Sequence, residues 1–172
     1  YYNSTGDNNI AIGQTAMLFN TTGNNNTAMG ISALYSNQIG YSNVAIGTQA
    51  LYNSAVRSNL VAIGDSALFN NAVGAVSSTD GASNTAIGSK ALFSNSIGSS
   101  NTAIGYNTLF SNTSGNANTA MGLYASYFNT TGIGNTSTGY SSLFRNSTGV
   151  WNSSFGYSSM FTNTTGQNNS AF

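Results

Sequence analysis

The sequence predicts an all-β chain, a parallel β-solenoid (β-roll) of about ten coils. Three observations predict it. The glycines of an NTAIG-like core, Gly13, Gly30, Gly47, Gly64, Gly88, Gly105, Gly122, Gly139 and Gly156, are 17 residues apart, except that Gly64 to Gly88 is 24. A second row, Gly6, Gly23, Gly40, Gly74, Gly98, Gly115, Gly132, Gly149 and Gly166, keeps the same phase, and Arg57 alone breaks it. Two rows of asparagine run between them. A fixed period this short is the signature of a solenoid in which each repeat is one turn. Residues 1–172 therefore read as a single repeat array, with a seven-residue insertion placed within 75–81.

The composition agrees. Only 3% of residues are charged, far below the roughly one quarter of ordinary soluble domains. At 40% hydrophobic and 12% aromatic, the chain is too apolar for a disordered segment. A net charge of zero offers no electrostatic footprint for nucleic acid or an anionic membrane. No apolar run approaches the roughly 18 residues a membrane-spanning helix needs. The chain begins in mid-repeat without an initiator Met or a signal peptide, so it is expected to be processed or part of something longer.

Counting from the first glycine as zero, position four is Leu or Met and position five aromatic in most repeats. The predicted core is Leu34, Tyr35, Leu51, Leu68, Phe69, Leu92, Phe93, Leu109, Phe110, Leu143 and Phe144. Each coil is expected to hold two short strands, N-T-A-I and A-L-F, with the glycines at positive φ in the corners. A helix would suffer about 1 kcal/mol for each interior glycine. Stacked strands place equivalent residues about 4.8 Å apart. That spacing disfavours columns of like charge and prolines, and it lets Asn side chains bond along the stack. Asn26, Asn43, Asn84, Asn101 and Asn118 form one expected ladder; Asn95, Asn112 and Asn129 belong to the other.

In the A-L-F strand, alternation would make both faces apolar, Ala and the aromatic on one and Leu on the other. A thin solenoid buries only one face, so the second calls for another rod. The expectation is a homo-oligomer, with a trimer about the long axis the simplest closed arrangement.

The NxAIG cores followed by a Gly-Asn turn resemble the head repeats of trimeric autotransporter adhesins. The 17-residue unit with ALF-SNTTG is longer than those repeats. It is similar to the repetitive shafts of bacterial and phage tail-fibre-like proteins that end in a self-cleaving chaperone domain. This resemblance implies a trimeric β-roll fibre, extracellular, on a cell surface or a virion.

Departures from the repeat mark the candidate sites. Arg57 replaces a turn glycine, while Ser54 and Leu60 replace asparagines of the two rows. The insertion follows in the next coil. Arg57, Asp65, Asp80 and Lys90 are four of the six charged residues and all fall here. They fit either a solvated loop with one weak ion pair or a ligand or partner contact on a rigid scaffold. Tyr106, Tyr140 and Tyr157 share position one with Leu123; such a column fits lateral packing or stacking on a surface glycan. Ten Asn-x-Ser/Thr triplets, among them those at Asn20, Asn112, Asn129, Asn146 and Asn163, are generated by the repeat itself.

With no His or Cys, and its three Asp at least 15 residues apart, the chain offers no metal, cofactor or nucleophile motif, and no enzyme is expected. The leading reading is a structural fibre or adhesin segment whose partner is itself. The alternative is a carbohydrate- or ice-binding solenoid. For ice, the row Thr27, Thr85, Thr102, Thr119 and Thr136 is interrupted by Ile10, Val44 and Val61. The array runs from position five, Tyr1, to position sixteen, Phe172, so a further segment is expected to cover each end.

Overall fold

The computed structural model describes residues 2–172. Its ten strands stack in chain order in one parallel sheet, with no helix among the described residues. They are β1 (Ile10–Ile12), β2 (Thr27–Met29), β3 (Val44–Ile46), β4 (Val61–Ile63), β5 (Thr85–Ile87), β6 (Thr102–Ile104), β7 (Thr119–Met121), β8 (Thr136–Thr138), β9 (Ser153–Phe155) and β10 (Ser170–Ala171). Each pairs with the next in register, Thr27 on Val44 for example. The 24-residue step does not disturb this, since Val61 pairs with Thr85. The middle residue of most strands is a buried alanine, such as Ala45 or Ala86, and its two neighbours face outward. The alternation is that of an ordinary pleated strand.

The A-L-F arm is not a second strand. It is two successive tight turns, in which the N–H of Ala33 bonds the Gly30 carbonyl and that of Asn37 the Leu34 carbonyl, both at 3.3 Å. Positions two and four are both left-handed, with φ of 55° at Ser32 and 52° at Leu34, and 58° and 52° at Lys90 and Leu92. Coil-to-coil bonds persist, from Leu34 N to Ala50 O at 2.8 Å and from Ser36 N to Tyr52 O at 3.1 Å. The arm therefore stacks in parallel without being extended. The left-handed leucine breaks the alternation, so that Ala33 and Leu34 are both buried in the interior. That conformation costs a non-glycine residue about 1–2 kcal/mol. Full burial of a leucine contributes roughly 1.5–3 kcal/mol, enough to offset it.

The predicted core divides accordingly. Leu34, Leu51, Leu68, Leu92, Leu109 and Leu143 are fully buried. The aromatics Tyr35, Phe69, Phe93, Phe110 and Phe144 are only half-buried. They form a ladder of near-parallel rings along the flank, at 4.8 Å for Tyr35 on Tyr52 and 5.2 Å for Phe69 on Phe93.

The rest of the interior is polar and, apart from the Asn37 and Asn107 oxygens and the Ser54 hydroxyl, paired. In one ladder the side-chain amide of each Asn donates to the oxygen of the Asn in the preceding coil. Asn95 donates to Asn71, Asn112 to Asn95 and Asn129 to Asn112, each at 2.8 Å. The same Nδ2 atoms also donate to the carbonyl of the turn glycine three residues on, as in Asn112 to Gly115 at 3.0 Å. In the other ladder each Asn oxygen accepts a backbone N–H from the next coil, Asn26 from Asn43 and Asn84 from Asn101, both at 2.9 Å. Asn118 adds a side-chain bond to Asn101 at 3.1 Å.

The two glycine rows exist for different reasons. Gly47 sits at φ 130°, and a Cβ there would also come within 2.5 Å of the Gly64 carbonyl oxygen. Gly98 lies outside the left-handed region and is required for space, since its Cβ would meet the Gly115 oxygen at 2.5 Å. Positive φ thus belongs to the first row, and in the second row only to Gly74 and Gly81 of the long coil, at 80° and 69°. In the long coil the amide of Asn71 reaches the carbonyl of Gly81 at 2.9 Å, ten residues on instead of the usual three. Gly81 therefore takes the turn-glycine place, and the added residues loop out between Asn71 and Gly81, carrying Gly74 with them.

Leu92→Ala is expected to lower unfolding stability by about 2–5 kcal/mol, because the leucine leaves a buried cavity. Phe93→Ala, in the half-exposed ladder, should cost less, about 1–2 kcal/mol. Chemical denaturation measures both, and a larger loss at Phe93 would contradict the observed division of the core.

Candidate functional site

The four charges that sequence reading grouped together lie in two places. Arg57 reaches into the inserted loop, where its Nε donates to the Asp80 carbonyl and its Nη2 to that of Ser77 at 2.8 Å. The Asp80 carboxylate turns back on its own loop and accepts the N–H groups of Val76 and Ser77 at 3.0 and 2.9 Å. These two hydrogen bonds hold its pKa below the ordinary carboxylate value, with a smaller contribution from Arg57. Asp65 and Lys90 sit instead at the first-glycine corner, in adjacent coils joined by Lys90 N to Asp65 O at 2.8 Å.

A cleft of about 500 Å³ opens beside the loop, and neither Asp65 nor Lys90 lines it. Its walls include Ile39, Tyr41, Val56, Arg57, Ser78 and Ser83. Sequence reading missed Tyr41, which is 52% exposed, because it occupies an ordinary turn position and only the loop makes it a wall. The signal in the sequence was the broken ladder. Ser54 is too short to continue the Asn row, and both its hydroxyl and the Asn37 oxygen are buried without partners. Leu60, fully buried in place of the other Asn, still donates its backbone N–H to the Asn43 oxygen at 3.0 Å. A short polar and a long apolar residue thus replace two amides in one coil.

The tyrosine column is packed in part. Tyr140 and Tyr157 stack at 5.0 Å and 7°, and Tyr124 sits edge-on to Tyr106 at 5.8 Å and to Tyr140 at 6.4 Å. The three candidate tyrosines stay exposed, at 45% for Tyr106, 43% for Tyr140 and 79% for Tyr157. The glycosylation triplets meet a harder obstacle. Asn20, Asn112, Asn129 and Asn146 are fully buried or nearly so, with amides engaged in the ladder.

A further cluster was not foreseen. Ser126 takes the leucine place and its hydroxyl lies 2.9 Å from that of Ser137, while Ser142 donates to Ser154 at 2.8 Å. These serines satisfy one another inside the coil stack, and none of their partners is a base that would make a nucleophile. Among the described residues no group of three or more His, Cys, Asp or Glu could hold a metal ion. No helix among them is long and apolar enough to cross a membrane. No family model, curated protein or solved structure matches the chain.

The Asp80 turn gives a pH prediction. Because its folded pKa lies below the unfolded value, the turn's contribution is complete above the ordinary carboxylate range. It is lost as pH falls through the folded value. The Val76 and Ser77 amide protons should titrate together by NMR with a midpoint below that of a free aspartate, and Asp80→Asn should abolish the transition. A midpoint at or above the ordinary value would contradict the assigned bonds.

Proposed function

We propose that the chain is a structural segment of an extracellular fibre, an adhesin shaft or head, in which a stiff rod holds other parts of an assembly apart. The observation that carries this reading is the unbroken register of ten parallel strands, which the inserted loop leaves intact. A rod whose interior columns bond coil to coil resists bending, and its length follows directly from its number of repeats. The Asp80 carboxylate and the Arg57 guanidinium bond the backbone of the loop, so that feature decorates the rod without interrupting it. The resemblance to adhesin head repeats and tail-fibre shafts supports the same reading, and with it assembly from copies of the same chain, three about a common axis in the simplest closed form.

Electron micrographs of the purified chain test the proposal. Straight particles about 48 Å long, or whole bundles of them, are expected from ten coils at the spacing of stacked strands. Compact globules would contradict it.

A further inference from the structure

The outward face of the sheet is an apolar feature with no partner among the described residues. Two columns form it, one from the first residue of each strand and one from the last. The last-residue column contains Ile46, Ile63, Ile87 and Ile104, with Met29 and Met121 at the same level in their own coils. Ile87 is 36% exposed, Met29 39% and Met121 44%, although the alanine between the two columns is completely buried. Val44 and Val61 continue the apolar surface into the first column, where the other central coils place Thr. Neither column contains a charged residue. A face of this kind loses free energy to water along its whole length.

We infer that this face is where a second copy of this chain docks, sheet outer face against sheet outer face. The argument for that occupant is geometric. A strip about 48 Å long and about 10 Å wide, the length of three strand residues, has a plan area of about 480 Å² per copy, which the projecting side chains enlarge toward the roughly 800 Å² per partner of a stable interface. The strip is also periodic at the strand spacing, about 4.8 Å. A partner that fills it from end to end needs side chains at that same repeat, and the same columns on a second rod supply them. The absence of charge removes the repulsion that would otherwise oppose a face meeting its own copy. The Met and Phe155 side chains, longer than the isoleucines of the same column, give the surface relief that a mate can interlock with.

This inference rests on the fibre reading only for the view that the rod assembles; the face itself follows from burial and charge, and a face paired with its own copy closes as a two-fold dimer in place of the three-fold form. It also accounts for the half-buried Ile column, which the turn geometry leaves outside. Sequence reading had placed the second apolar surface on the A-L-F arm instead. The arm's left-handed leucines turn inward, so the surface needing a mate is the one on the strands.

Sedimentation velocity and light scattering on the full chain across a concentration series test the proposal. The chain is expected to form a defined oligomer, and Ile46→Lys with Ile104→Lys to return it to monomer with unchanged circular dichroism. Ile46→Thr with Ile104→Thr is a milder pair that the fold accepts, since Thr138 already occupies the column. It should weaken association at least about tenfold, equivalent to roughly 1.4 kcal/mol. Ser111→Lys, on the aromatic flank, should leave association unchanged. A chain monomeric at every concentration would overturn the inference, whether or not it depresses the freezing point through its Thr column. An oligomer that ignores both face pairs would overturn it too. A monomer that is still a straight rod in micrographs would sink the docking face while leaving the fibre reading standing.

Discussion

The side chain of Asn112 donates to Asn95 in the coil before it and accepts from Asn129 in the coil after it, all three fully buried or nearly so. Most of the other features of the molecule follow from this one contact. A primary amide carries two N–H donors and a carbonyl acceptor, so it can meet copies of itself at strand spacing and still have a second N–H for the backbone. Its second N–H goes to the turn-glycine carbonyl, which ties the ladder to the backbone of each coil. A buried amide left without a partner costs about 1–3 kcal/mol, so the repeat cannot drift in phase without orphaning a whole column.

The same requirement explains what the chain excludes. Each interior residue must accept a near-copy of itself one coil away. Alanine, leucine and asparagine do so, and a charged residue does not. Strain is tolerated because it repeats. The left-handed leucines are individually unfavourable, yet each lets Ala33 and Leu34, or their equivalents, enter the interior from neighbouring positions. Where the ladder fails, at Ser54 and Leu60, the chain also carries its loop, its cleft and most of its charge. Variation accumulates in the coil that no longer enforces the column.

The period, the coil count, the single array and both Asn ladders were legible in the sequence, since a 17-residue phase kept by glycine and asparagine has no other reading in backbone terms. The second strand was not. A-L-F has strand composition, and nothing in the letters reveals that Leu34 and Leu92 sit near φ 52°. Assigning it an alternating pattern placed Tyr35 and Phe93 in the core, whereas they line the flank half-buried. The place of the insertion was also hidden, because Gly74 keeps the expected spacing while Gly81 makes the contact. Of the candidate contacts, Arg57 and Asp80 do come together at the loop, with Arg57 also in the wall of the cleft, while Asp65 and Lys90 sit at another corner.

The measurement that addresses the central claim most directly is hydrogen exchange at the asparagine side chains themselves. The Nδ2 protons of Asn95, Asn112 and Asn129 are expected to exchange orders of magnitude more slowly than those of the exposed Asn25, and at rates similar to one another, because opening one breaks the column on both sides. Exchange of the ladder amides as fast as that of Asn25, in a chain that is otherwise folded, would contradict an account in which the stacked amides hold the coils in register.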